Sequence, residues 1–343
     1  MGKIKTIFDV AEMAGVSTAT VSRVVNGSPK VKAETVLRVK EAIAKLNYEP
    51  NLMARKLRRY ETGDILVIIP EVTNPFQSRV ISGITEVLRT KKYHALISQT
   101  NHMEAIEKEF LAMLMTKKAD GAILMTCMKN QDQVYEVSKK VPIIQCTEYY
   151  TDLPISYVSI DNYHATLAAM QHLIDLGHKK IAIISSENTE TSTFERMRGY
   201  LAALKKMSLS NVRDYVQYAD IDYSFESAVE AALKLLSLED RPTAIFCISD
   251  IIALGAVRAA QTLGISIPDE LSVVGFDNIE FANYVHPLLT TINQPRYDIG
   301  VVTAKKILEL LDDTKEKKDS QPFKCFVDYS LVVRESTGPV PGT

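Results

Sequence analysis

Cysteine is scarce in this 343-residue sequence, and the four present, Cys127, Cys146, Cys247 and Cys325, lie far apart without a CxxC pair. That excludes a zinc knuckle or a disulfide framework and leaves them as expected reduced core residues. No run of about 18 apolar residues occurs, so no membrane span is expected. The opening MGKIKTIFDVAEMAGV reaches charged and polar residues too soon to form the apolar core of a secretion signal. The expected location is therefore cytoplasmic. The six histidines (His94, His102, His164, His172, His178 and His286) show no HExxH spacing, and neither a GxSxG elbow nor a GxxxxGK[ST] loop is present. His178, in LGHKK, reads as part of a helix-to-strand turn. An enzyme is not expected, and no catalytic residue, metal ligand or cofactor is assigned.

With 46% hydrophobic and 24% charged residues, the chain reads as a soluble globular protein of two or three domains. Its net charge of −2 hides an asymmetry. Residues 1–60 carry 12 Lys/Arg against 5 Asp/Glu, while the remainder carries 28 against 37. A small basic module on a larger acidic body is the footprint expected when one part meets phosphate.

The basic module has a complete set of helix signals. Thr6 followed by Asp9 forms a capping-box pattern, and Ile7, Val10, Ala11 and Ala14 follow at helical spacing, predicting a helix over 7–14. Gly15 supplies a turn, and Ser17 is placed to cap a second helix running to about Asn26 with Val21, Val24 and Val25 inside. Val36, Val39, Ile43 and Leu46 predict a third. Two short helices about a glycine turn are a helix-turn-helix. Thr18, Ala19, Thr20, Ser22 and Arg23 are then left where a recognition helix meets base edges in a major groove. Threonine and alanine suit the thymine methyl, and arginine suits the two acceptors of guanine. After Glu49-Pro50, Asn51 can cap a further short helix, LMARKLRRY, whose Leu52, Met53 and Leu57 sit among Arg55, Lys56, Arg58 and Arg59. That mixture suits a minor-groove wedge flanked by phosphate contacts.

Beyond residue 62 short apolar runs alternate with amphipathic stretches. Strands are predicted at 65–70, 94–99, 121–126, 141–146, 180–185, 244–248 and 271–276, with helices at 77–92, 104–118, 163–176, 223–237 and 250–263. Strands joined by helix-length crossovers predict parallel, doubly wound sheets. So many units are expected to form two lobes, 63–161 with 293–322 and 162–292 with 323–343, after a head at 1–50 and a hinge at 51–62. Ligands in such folds bind beyond the carboxyl ends of the strands. The residues expected there are Glu71, Thr73, Asn74 and Phe76; Gln99 and Asn101; Glu148 and Tyr149; Arg196; Ser249 and Asp250; and Asp277 and Asn278. Asn162 and Asp250 read as helix caps. Carboxylates, amides, one arginine and rings from Phe76, Tyr149 or Phe276 suit a small neutral polyhydroxy or heterocyclic ligand.

TIFDVAEMAGVSTATVSRVVNG followed by LNYEPNLMARKL resembles the head and hinge of the LacI/GalR family of bacterial transcriptional repressors. VTNPF, YVSIDN, LGHKKIAIISS, RMRGYLAAL, FCISDIIALGAVRAAQTLGISIPDELSVVGFDNIEF and PLLTTINQPRYDIG carry the resemblance to the end of the body. It implies an α/β architecture: a small all-α helix-turn-helix head plus two lobes like those of periplasmic sugar-binding proteins. It further implies that Thr18, Ala19 and Arg23 read bases, that Leu57 intercalates and that Ala54 lets two hinge helices lie close. The candidate DNA-binding set is Thr6, Ser17, Thr18, Ala19, Thr20, Ser22, Arg23 and Asn26, with Asn51, Ala54, Arg55, Leu57 and Arg58. By position, Arg196 and Asp277 match effector ligands of the family, with Glu148 near an acidic ligand on the facing lobe. ILVIIPEVTNPF and GFDNIEFANYVHPLLTTINQPRYDIG resemble cytidine-responsive members, which implies a nucleoside effector, cytidine first. Two departures stand out. Gln77 follows Phe76 where many members carry a second aromatic, and Ser249 stands where sugar-inducible members often have asparagine. Sugar-responsive repressors and catabolite-control regulators with a protein co-effector are alternatives within the family; a solute-binding protein is the alternative outside it. The expected partners are a pseudo-palindromic operator in double-stranded DNA, a small-molecule effector and a second copy of the chain. No heptad zipper follows LVVREST.

Overall fold

The computed structural model describes residues 5–25, 28–48, 61–207, 215–316 and 321–340. The chain divides into two compact units, Met1–Glu61 and Thr62–Thr343.

The first unit contains α1 (Ile7–Ala14), α2 (Thr18–Val25) and α3 (Ala33–Leu46). The Thr6 backbone N–H and hydroxyl both donate to the Asp9 carboxylate, at 2.6 and 2.9 Å, which ties down the entrance of α1. Gly15 ends that helix at φ 63°, a left-handed conformation that costs glycine little. Ser17 Oγ accepts the Thr20 N–H at 3.2 Å, capping α2. Val10, Ala11, Ala14, Val21, Val24, Val39 and Ala42 form the buried core of this small unit.

The second unit holds two parallel-type sheets, each six-stranded among the described residues. The first contains β1 (Asp64–Ile69), β2 (His94–Gln99), β3 (Gly121–Leu124), β4 (Ile143–Cys146), β5 (Ser156–Ser159) and β11 (Lys324–Phe326), in the order β11-β5-β4-β3-β1-β2. The second contains β6 (Ile181–Ser186), β7 (Val216–Ala219), β8 (Ala244–Cys247), β9 (Ser272–Asp277), β10 (Thr290–Asn293) and β12 (Ser330–Val332), in the order β12-β10-β9-β8-β6-β7. Among the described residues only the β10–β12 pair is antiparallel. The crossovers are α4 (Pro75–Thr90), α5 (Glu104–Met115) and α6 (Gln131–Ser138) in the first lobe, and α8 (Thr191–Lys206), α9 (Phe225–Leu236) and α10 (Asp250–Thr262) in the second. Between the lobes' first passes runs α7 (Asn162–Asp175), and α11 (Arg296–Glu316) returns the chain to the first sheet.

The run ILVII in β1 is apolar at every position because both faces are covered. Ile65, Val67 and Ile69 join one core with Val80, Ile84 and Leu88 of α4; Leu66 and Ile68 join the other with Leu111 and Leu114 of α5. In β2, an edge strand, Leu96 and Ile97 point to opposite faces and both are exposed, because neither face of this edge is fully covered.

The structure departs from the expected lobe boundaries at the last crossing. Lys324–Phe326 pair in parallel with β5, so this strand belongs to the first sheet and the chain crosses only before Ser330. A three-residue strand with alternating exposure has no apolar run to announce it. Of the cysteines, Cys146 and Cys247 are buried, but Cys127 and Cys325 are only partly so.

Candidate functional site

The carboxyl ends of both sheets face one cleft. In each sheet the connections reverse direction beside the first strand, between β1 and β3 and between β6 and β8. Side chains following those four strands line the cleft: Asn74, Phe76 and Gln77 after β1, Met125 after β3, Asn188, Glu190, Ser192 and Arg196 after β6, and Ser249 after β8. Glu148, Asp222, Tyr223, Asp277 and Gln294 complete the strand-end set.

Arg196 is the buried cation of the site. Its Nε donates to Asn162 Oδ1 at 2.9 Å and its Nη1 to the Ile248 carbonyl at 2.5 Å. The guanidinium lies 3.8 Å over the Phe276 ring, and Nη1 stands 3.9 Å from Asp277 Oδ1. Asp277 also accepts from Gln294 Nε2 at 2.7 Å. Burial pushes the Asp277 carboxyl up to about 6 although Arg196 pulls it down. Asp277 sits at φ 115° and Thr147, just before Glu148, at φ 70°. Strained backbone at both strand ends is how side chains are aimed where regular extension would not send them.

Hydrogen bonds tie the lobes together at the start of α8. Glu190 accepts from the Thr126 hydroxyl at 2.7 Å and the Cys127 N–H at 2.9 Å, Glu148 accepts from the Ser192 N–H at 3.0 Å, and the Thr191 hydroxyl donates to the Tyr149 carbonyl at 2.6 Å. His102 and Asp222 add a contact of 3.1 Å between lobes. Burial, reinforced by the charge of Glu148, pushes Glu190 up to about 8, and burial raises Glu148 as well. Cys127, Glu148 and Glu190 bring one ligand atom each to within 4.8 Å of one another. Burial holds the Cys127 thiol well above its usual range, which disfavours the thiolate a metal needs, and Glu190 is already engaged as a clasp.

The clasp has a calculable pH response. A carboxyl whose folded pKa is raised is most stabilising below its ordinary value of 4.5, and that contribution is lost as pH rises toward 8. Thermal melting of the full-length protein is expected to fall between pH 6 and 8.5, and Glu190→Gln, which keeps one acceptor and cannot ionise, should flatten that fall. An equally steep slope in the variant would remove Glu190 as its source.

Of the expected effector residues, the cleft brings together Phe76, Glu148, Arg196, Ser249 and Asp277. Two do not reach it. The Tyr149 ring stacks on Tyr157 at 4.2 Å, and Phe276 is fully buried beneath Arg196, so neither offers a free face. Tyr223, whose hydroxyl meets Thr193 Oγ1 at 3.0 Å, lines the cleft instead. The expected caps also differ. Ser249 caps α10 by accepting the Ile252 N–H, whereas Asp250 braces Thr291 and the Ile279 N–H. Asp161 caps α7, freeing Asn162 to hold Arg196.

In the head, Ala19 and Arg23 are exposed, while Thr18, Thr20 and Ser22 are half-buried. Thr20 Oγ1 lies 3.0 Å from Ser17 Oγ, so these two hydroxyls pair at the start of α2. Asn26, Asn51, Ala54, Arg55, Leu57 and Arg58 lie outside the described residues.

A helix-turn-helix unit and a two-lobed body with a polar interlobe cleft define an effector-controlled DNA-binding regulator. Residues 62–329 match the family described as periplasmic binding proteins and sugar binding domain of LacI family, and residues 6–51 match bacterial regulatory proteins, lacI family. The chain belongs to the LacI family and is a transcriptional repressor, not an enzyme. It is 38% identical to catabolite control protein A of Priestia megaterium, over 97% of this chain and 99% of that one. It is 36% identical to the HTH-type transcriptional repressor CytR of Escherichia coli (strain K12), over 98% and 97%. The lac repressor dimer bound to operator and the anti-inducer ONPF superposes with a TM-score of 0.87 at 27% identity, over 98% of this chain and 100% of that one. Among the described residues no helix is long and apolar enough to cross a membrane.

Proposed function

We propose that the chain acts as a homodimer on a pseudo-palindromic operator and that its effector is an uncharged nucleoside, cytidine first among candidates. The acceptor-rich cleft carries this reading. Glu148 and Asp277 lie beside the buried cation Arg196, with the clasping Glu190 next to them, so the cleft offers one buried cation among several acceptors and favours a ligand rich in hydroxyl and amino donors. Asp277 accepts ribose hydroxyls, Arg196 donates from the second lobe, and Phe76 and Tyr223 flank the ring. Similarity to CytR supports the same choice. Calorimetry with cytidine, uridine, adenosine, ribose and cellobiose tests it. Heat from ribose or cellobiose but from no nucleoside would overturn the nucleoside assignment and leave the repressor standing.

In the head, Thr18, Ala19 and Arg23 read base edges while neighbouring hydroxyls and cations meet phosphate. A second head is needed because one reads too few base pairs to be selective. With DNA selected from a random pool, log affinity should fall by about 0.9 per phosphate neutralised for each unit of log salt. Exchanging Thr18 and Ala19 should shift the preferred sequence, at about 1–3 kcal/mol per altered base contact. A salt-independent affinity, or an unchanged preference, contradicts this assignment.

A further inference from the structure

On the first turn of α4, Gln77 follows Phe76 into the cleft. Its side chain is only 6% exposed, and its Oε1 has no hydrogen-bond partner in the protein. A buried amide oxygen left unpaired forfeits its hydration with nothing in return, and such groups are few in folded proteins; of those among the described residues, Gln145 Nε2 and Thr166 Oγ1 lie away from the cleft lining and only Gln77 belongs to it. The backbone around it is fixed. Asn74 caps α4 by accepting the Phe76 N–H at 3.0 Å, and the Gln77 N–H donates to the Asn74 carbonyl at 3.1 Å. The side chain therefore cannot escape by shifting the helix start.

We infer that Gln77 is a specificity-determining residue of the cleft, its side-chain carbonyl accepting a hydrogen bond from an N–H or O–H of the effector. Phe76 offers a ring face, which tolerates many flat ligands; Gln77 adds a directional acceptor, which does not. A site that pairs a buried acceptor with a ligand donor rejects analogues lacking it, because the acceptor is then left facing nothing or another oxygen. Applied to the nucleoside reading, on which this part rests, the donor is the exocyclic amino group of cytidine. Uridine places a carbonyl there.

The test uses full-length wild type and Gln77→Met, which keeps the side-chain length and removes the acceptor. Calorimetry with cytidine, uridine, adenosine, ribose and cellobiose should show the tightest-binding compound weakened about tenfold or more in the variant, and any preference for cytidine over uridine lost. Without ligand the variant should melt at the wild-type temperature or above it, because an unpaired buried acceptor is gone. If ribose or cellobiose binds and no nucleoside does, the nucleoside reading fails while Gln77 is judged by the loss of affinity for that sugar. Unchanged affinity for the tightest compound would overturn the inference. So would a melting temperature lowered by more than about 3 °C, which corresponds to roughly 1 kcal/mol in a body of this size and would mean the amide serves the fold.

Discussion

Gly300→Val is expected to destabilise the effector body by about 3 kcal/mol or more, a fall in melting temperature of roughly 6–12 °C. α4 and α11 cross at a reciprocal pair of glycines. A Cβ on Gly300 would stand 2.1 Å from the Val80 carbonyl and 3.0 Å from the Ile84 nitrogen; one on Gly83 would stand 2.2 Å from the Tyr297 carbonyl. All three are backbone atoms of a facing helix, and unlike the tip of a flexible side chain they cannot swing away. The helices must separate, opening the core that Val80, Ile84 and Leu88 share with Ile299, Ala304 and Ile307. Helix propensity acts in the opposite direction but is worth only about 1 kcal/mol for leaving glycine. Because α4 begins beside Phe76 and Gln77, the same substitution should weaken effector binding. A Gly300→Val protein that melts like wild type would show that this crossing is looser than the structure has it.

What the sequence made legible follows from length and period. All seven predicted runs fall in strands; in six of them the strand is buried on both faces and is built almost wholly of apolar or small residues, while β2, at the sheet edge, is marked by its shorter apolar stretch alone. β5, β7, β10, β11 and β12 carry no apolar run, since polar residues interrupt each of them, and β7, β11 and β12 also lack continuous burial, leaving too little pattern to separate them from loops. The head was readable to the residue at α1 because Thr6, Asp9 and Gly15 each act through local geometry.

The cleft was legible by place but not by direction. Strand ends gather at the cleft in a doubly wound fold, so Glu148, Ser249 and Asp277 could be found from the runs before them. Successive residues of a strand point to opposite faces, however, and neighbours in sequence part company. Phe276 goes into the core while Asp277 enters the cleft; Glu148 faces the other lobe while the Tyr149 ring turns back onto Tyr157. Glu190 and Asn162 were missed for another reason. Their roles depend on groups distant in sequence, Thr126 and Cys127 for Glu190, Arg196 for Asn162, and no local signal marks such a meeting.

Asp277→Asn should separate effector response from folding. The carboxyl is pushed up to about 6 because burial outweighs the pull of Arg196, so in the folded protein its ionised form is the disfavoured one. Its contribution to stability is therefore complete below about 4, the usual aspartate value, and is lost as pH rises through 6. Asparagine is neutral throughout, keeps an oxygen for Gln294 Nε2 and tolerates positive φ better than most residues. At pH 7.5 the variant should consequently melt no lower than wild type, and operator binding in the absence of effector should be unchanged. Effector affinity should fall by about ten- to a hundredfold, since one of two acceptors offered to ligand hydroxyls becomes a donor facing donors. Titrating the effector against preformed protein–operator complex reads both quantities together. Full response at wild-type effector concentrations would remove Asp277 from the ligand's partners, and a large loss of melting temperature would place its chief role in holding Arg196.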